Sequence, residues 1–165
     1  MKVTDKYVFF WGGIYSQWYK ANMEIDGVTY NCCEQFMMHQ KALLFKDYEI
    51  AKQILAEKNP KTQKELGRKV EGFDKGLWDK VCFSIVYKGN LAKFTQHEDL
   101  KQELIQTGNR VLVEASPFDT VWGVGLGEET PQVDSPSTWR GTNLLGFALT
   151  TVRGEISEID LSKLD

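Results

Sequence analysis

Cysteine is scarce in this chain of 165 residues: Cys32, Cys33 and Cys82 are all it has. Adjacent cysteines rarely bridge each other and no CxxC spacing occurs, which argues against a disulfide framework and a zinc site. Reduced thiols fit an intracellular, cytoplasmic protein. Histidine is scarcer still. His39 and His97 lack the spacing of metal ligands and read as structural or surface residues. No run approaches the length of a membrane span, and the N-terminal MKVTDKYVFFWGG has no long apolar leader core, so no membrane is expected. Basic charge is not in excess either. A net charge of −3 argues against affinity that rests on a general basic surface. The GxSxG, HExxH and P-loop motifs are missing. Gly123-Val124-Gly125-Leu126-Gly127 has GxGxG spacing and no βαβ context, which rejects a dinucleotide-binding fold. Neither a metal nor a cofactor is called for.

What is present suits one domain, residues 1–165, with a real core. The hydrophobic and charged shares, 42% and 26%, are ordinary for a soluble globular protein. Aromatics are plentiful, and several stand in polar, glycine-rich contexts where stacking on a ligand is an alternative to packing. Charge is uneven. From Lys41 to Lys93 there are 12 basic residues against 7 acidic ones, while the end from Glu155 to Asp165 is acidic. The basic stretch fits either a surface for phosphates or a solvated helix face.

Along the chain, Lys6–Trp11 reads as a strand, followed by the glycine and aromatic loop WGGIYSQWY. Met23–Tyr30 has an Asp-Gly turn between apolar segments, a hairpin signal. Helical patterns then dominate: residues 31–45, 47–58, 61–70, 76–88 and 91–107. Arg110–Ala115 is a buried strand and Ser116–Thr138 a long loop, uncommon in a compact domain and often functional. Residues 139–152 form a last helix. Strands near both ends with helices between predict a helix-rich α+β domain with a few short strands.

Two constellations carry chemistry. The first is NCCEQFMMHQKALLF, residues 31–45. Glu34 and Lys41 are seven positions apart, so on a helix they point nearly the same way, roughly 10 Å apart along the axis. The helix is apolar on opposite sides and so predicted to be buried. A carboxylate and an amine there are costly unless they meet a ligand or partners. Glu34 also fits a capping box with Asn31; Lys41 has no such excuse. The pair can supply an acid or base and a nucleophilic amine. The second constellation is EASPFDTVWGVGLG, residues 114–127, where Glu114 ends a strand and Asp119, Trp122 and Gly123 follow a turn. It suits a sugar and base site; equally, Asp119 fits an Asx turn and Trp122 a core plug. Trp11, Trp18 and Tyr19 could stack on a nucleobase or simply pack. Trp78 reads as a core residue or as a ligand contact.

Taken in order, FFW with SQWY, DGVTYNCCEQFMMHQKA, LGRKVEGF, WD, the KGN-KF-Q pattern of Lys88–Gln96, LVEASPFDTVWGVGL and WRGTNLLGFALTTVR resemble the NADAR family, the NAD- and ADP-ribose-associated, YbiA-like N-glycosidases. The resemblance covers nearly the whole chain. It implies hydrolysis of a bond between a ribose and a nitrogenous base. Two substrate classes follow from it: phosphorylated intermediates early in riboflavin synthesis, and ADP-ribose attached to guanine in DNA or RNA. It places the family's Glu on Glu34, its Lys on Lys41, its Asp and Trp-Gly on Asp119 and Trp122-Gly123, and its later Asn on Asn143. Riboflavin-linked bacterial members are shorter where this chain inserts VGLGEETPQVDSPSTW, residues 124–139. That difference tilts the expectation towards ADP-ribosyl substrates.

The implied catalytic set is Lys41, Glu34 and Asp119. Lys41 would engage ribose C1 as a Schiff base, Glu34 would handle protons, and Asp119 would orient sugar or water. Substrate contacts are expected from Trp11, Trp18, Tyr19, Trp78, Glu114, Trp122, Gly123 and Asn143, with no cofactor, in a monomer. The competing readings are a riboflavin-intermediate hydrolase and, from another class, a non-catalytic ADP-ribose or nucleotide reader.

Overall fold

In the computed structural model, residues 1–162 are described; the last residues of the acidic end, 163–165, lie outside them. The elements run β1 (Lys2–Val3), β2 (Tyr7–Phe10), β3 (Met23–Ile25), β4 (Val28–Tyr30), α1 (Cys33–Leu44), α2 (Tyr48–Ala56), α3 (Pro60–Arg68), α4 (Lys75–Gln96), α5 (Glu98–Gln106), β5 (Val111–Glu114) and α6 (Leu144–Ser162). The architecture is helix-rich α+β, as expected from the sequence. The chain divides into two compact units, residues 17–96 and residues 1–16 with 97–165. No helix among the described residues is long and apolar enough to cross a membrane.

In the unit of residues 17–96, the Asp-Gly turn joins β3 to β4 in antiparallel register, Ile25 opposite Val28. Both turn residues have positive φ, 53° at Asp26 and 82° at Gly27, as a tight hairpin turn requires. The hairpin lays Met23, Ile25 and Tyr30 against Cys33 and Phe36 of α1. Helix α1 is buried for most of its length, as its two apolar sides predict, and packs against α2, α3 and α4.

Three boundaries differ from expectation. The capping box does not form with Glu34: Cys32 is the N-cap, and the Asn31 N–H donates to Gln35 Oε1 at 2.8 Å instead. Gln35 turns its amide onto the carbonyls of Ile54, Leu55 and Glu57, and so also satisfies the end of α2. The patterns at 76–88 and 91–107 do not break at Gly89-Asn90. Helix α4 runs through, and Gly89 stands where a Cβ would sit 2.9 Å from the Phe36 ring. This glycine admits a neighbouring helix rather than ending its own, and the break falls at His97, the N-cap of α5. The last helix begins at Leu144, not at 139.

The other unit carries a sheet of order β1-β2-β5, antiparallel then parallel, with Phe10 opposite Glu114. Phe9, Val113 and Ala115 form a core with Val124, Leu126 and Val133. Residues 116–138 are therefore not a loose loop. They hold two 3-10 turns, Pro131–Asp134 and Pro136–Thr138, and the Trp139 indole donates to the Val133 carbonyl at 2.8 Å. Helix α6 packs on β5. Buried Arg153 donates to Thr107 Oγ1 and to the Arg110 carbonyl, at 2.7 and 2.6 Å.

Tyr15 gives this unit a pH signature. Burial first, then the charge of Glu103, pushes its phenol from 10.0 up to about 12, with Arg153 opposing. The folded chain thus keeps a proton that the unfolded chain loses above pH 10. Stability supplied by this group is full below about pH 10 and is lost as pH rises towards 12. Thermal melts of Tyr15→Phe should show a shallower decline across that window than the parent. They should also show a constant loss of about 1 kcal/mol at neutral pH, for the bond to the Glu103 carbonyl.

Candidate active site

The expected residues fall in both units, and each unit is described by itself. In residues 17–96, the segment before α1 is fixed by its backbone: the Glu34 N–H donates to the Gln17 carbonyl at 2.9 Å. The Gln17 side chain accepts from Asn90 Nδ2 at 2.7 Å, and Asn90 donates also to the Val86 carbonyl within α4. Trp18 and Tyr19 follow directly, 44% and 37% exposed, so their rings are open to a ligand.

Glu34 is buried on α1. Two turns further along, Lys41 is half-buried, with its amine 4.6 Å from the centre of the Phe73 ring and 5.8 Å from that of Trp78. Trp78 is thus a wall for the amine and not a plain core plug. Burial lowers the Lys41 pKa below the usual lysine range, Glu34 opposes this, and Arg68 adds to it. A lysine so placed spends more of its time as the neutral, nucleophilic amine.

Lys93 escaped the sequence reading. It is fully buried on α4, with its amine 5.3 Å from the Tyr19 ring centre and 5.0 Å from that of Phe94. Burial lowers its pKa too, with Cys33 and Cys32 opposing. The signal was a stripe at Cys82, Val86, Gly89 and Lys93, spaced four, three and four, which a helix broken at Gly89 hides. Phe73 was likewise missed. It is 44% exposed, stands edge-on to Phe45, and gives Lys41 its nearer ring.

In the other unit, β2 and β5 end side by side, and their parallel pairing sets Trp11 and Glu114 at one edge. Asp119 Oδ1 accepts the N–H groups of Val121 and Trp122 at 2.9 and 2.8 Å, the Asx turn that was one of its two readings. Gly123 packs closely on the end of β5: a Cβ there would lie 2.9 Å from the Glu114 carbonyl and 3.3 Å from its Oε2. Trp122 is partly buried on the same turn.

Asn143 is fully buried at φ 53°, in the left-handed region that asparagine tolerates. Its Oδ1 accepts the Glu114 N–H at 3.0 Å and its Nδ2 donates to the Leu112 carbonyl at 3.1 Å. The side chain therefore pairs with β5 as another strand would. Asn143→Asp keeps size and φ preference but turns an oxygen onto the Leu112 carbonyl. We expect it to cost about 2 kcal/mol or more in urea unfolding, with the β5 end loosened.

Together these features define a class: a helix-rich α+β protein with a half-buried amine over aromatic rings, a buried carboxylate and exposed aromatics. The NADAR domain family matches residues 9–157, and the chain belongs to that family. It is 42% identical to an N-glycosidase of Acanthamoeba polyphaga mimivirus, over 92% of this chain and 97% of that protein. It is 31% identical to an N-glycosidase of Nostoc punctiforme, over 89% and 87%. An NMR structure of the E. coli protein YbiA superposes with a TM-score of 0.79 at 25% identity, covering 97% of this chain and 90% of that one.

Proposed function

We propose that this chain is a hydrolase of N-glycosyl bonds that cuts between a ribose and a base, and that its substrate is ADP-ribose carried on guanine in DNA or RNA. The observation that carries the reading is Lys41. Its pKa is lowered by burial, its amine stands over Phe73 and Trp78, and the Glu34 charge acts on it. A reader of ADP-ribose needs no such amine.

The chemistry balances without redox change. The Lys41 ammonium first passes a proton to the Glu34 carboxylate; the bond from C1 to the base nitrogen then breaks, its electron pair stays on the nitrogen, and Glu34 supplies the proton. The neutral Lys41 amine adds to C1 and passes a proton to the Glu34 carboxylate. The Lys41 nitrogen lone pair then forms the C=N bond as the C1–O bond of the ring breaks, and Glu34 returns the proton to the ring oxygen, giving the protonated Schiff base and a Glu34 carboxylate that takes a proton from the water of the next step. Water then adds at C1, the bond to Nζ breaks, and the free sugar and amine are restored. Asp119 takes an indirect part, holding the Trp122-Gly123 turn through its hydrogen bonds.

The ADP-ribosyl reading rests on the segment 124–139, which is expected from the sequence to be shorter in riboflavin-linked members. Its Val124, Leu126 and Val133 are built into a core, so it is a permanent part of that unit. A product assay tests the reading: ADP-ribosyl-guanine oligonucleotide against phosphorylated riboflavin intermediates. Release of ADP-ribose from the first is expected. Turnover of the second alone would move the substrate assignment, and binding without release would make the protein a reader.

A further inference from the structure

The chain from 67 to 73 wraps the second half of α1 and is pinned along it. A Cβ at Gly67 would collide with Met38 Sδ, so α3 meets α1 there with no side chain between them. The Glu71 N–H donates to Asp47 Oδ2 at 2.9 Å, just past the end of α1. The Phe73 ring stands edge-on to Phe45 and 4.6 Å from the Lys41 amine. Arg68 lies on this wrap, directly after the Gly67 contact, and Lys41 is three residues beyond Met38 on α1. Arg68 is exposed. Among the described residues its guanidinium makes no hydrogen bond and no ion pair, and Glu65, three residues before it on α3, makes no ion pair either. The charges that act on the Lys41 amine are those of Glu34 and Arg68, and Arg68 repels it. A second cation set beside an amine, with no acid of its own, costs stability and leaves a place for an anion.

We propose that Arg68 binds the phosphate on C5 of the ribose whose C1 meets Lys41. This rests on the function proposed above, in which that ribose belongs to ADP-ribose and carries a diphosphate on C5. The sugar ring spans the two cations: C1 lies at the amine and the phosphate on the opposite side of the ring. A guanidinium stays charged at any working pH and presents a planar fork to two phosphate oxygens. The phosphate replaces water on Arg68 and offsets its repulsion of the Lys41 amine. Because this part of the substrate does not react, its binding serves to hold C1 against Lys41 Nζ. Arg68 thus selects a phosphorylated ribose over a plain nucleoside.

The experiment measures binding of ADP-ribose by calorimetry, with inorganic pyrophosphate as competitor, to the parent, Arg68→Ala and Arg68→Lys. Arg68→Ala should weaken ADP-ribose binding about 10- to 100-fold. Pyrophosphate, which should displace ADP-ribose from the parent, should lose that effect in the variant. Arg68→Lys should recover only part of the affinity, because an ammonium keeps the charge without the fork. Thermal melts of both variants should stay close to the parent, as expected for an exposed side chain without partners. Equal ADP-ribose affinity in the parent and Arg68→Ala overturns the contact. So does weaker binding for which pyrophosphate still competes, since the phosphate then sits on another cation. A parent that binds neither ADP-ribose nor pyrophosphate overturns it as well. The proposed function is judged separately, by cleavage. A parent that cleaves ADP-ribosyl-guanine while Arg68→Ala keeps full affinity retains the function and loses the contact. A parent that binds ADP-ribose through Arg68 without cleaving retains the contact and loses the function.

Discussion

Lys41→Ala is expected to lower kcat on the ADP-ribosyl substrate by on the order of 10³-fold or more, as removal of a covalent nucleophile does. Stability should change much less. The amine's contacts with Phe73 and Trp78 are worth about 1 kcal/mol. Lys41→Arg separates the two effects. A guanidinium keeps the charge and the aromatic contact, stays protonated, and cannot form a Schiff base at neutral pH. It should fold like the parent and be as inactive as the alanine variant. A low residual KM effect in both would show that the loss lies in chemistry and not in binding. In the parent, the rising limb of activity against pH should fall below the ordinary lysine value of 10.5, because burial shifts Lys41 downward.

Glu34→Gln is expected to cost about 10²–10⁴-fold in kcat, the usual weight of a positioned acid–base group. It also carries a second readout. The Glu34 carboxylate raises the Lys41 pKa against the effect of burial. An uncharged glutamine removes that support, so the ammonium is less favoured and the pKa falls further. The rising limb in Glu34→Gln should therefore move to lower pH than in the parent. A purely capping Glu34 predicts no such fall in kcat; the shift of the limb follows from loss of the charge in either case. The Asn31 N–H is already taken by Gln35, so the variant leaves that bond intact.

The sequence made some of this legible for plain physical reasons. The hairpin was readable because Asp26-Gly27 has few conformations open to it other than this turn. The burial of α1 was readable from apolar residues on two sides, and with it the cost of Glu34 and Lys41. Other features depended on what lies across space. Gly89 looks like a helix stop until Phe36 is seen against it. Glu34 has the capping-box spacing from Asn31, yet the Asn31 N–H goes to Gln35, whose amide is held by the carbonyls ending α2 across space. Asn143 reads as a ligand contact, but both ends of its amide are engaged by the β5 backbone. Lys93 is a surface residue by type, and only its place on the buried stripe of α4 says otherwise.

Borohydride reduction during turnover, followed by peptide mass spectrometry, tests the central claim most directly. With ADP-ribosyl-guanine oligonucleotide, the account predicts a reduced ribosyl adduct on Lys41 that depends on both substrate and reductant. A turning-over enzyme with no lysine adduct, or with the adduct on Lys93 instead, would contradict it.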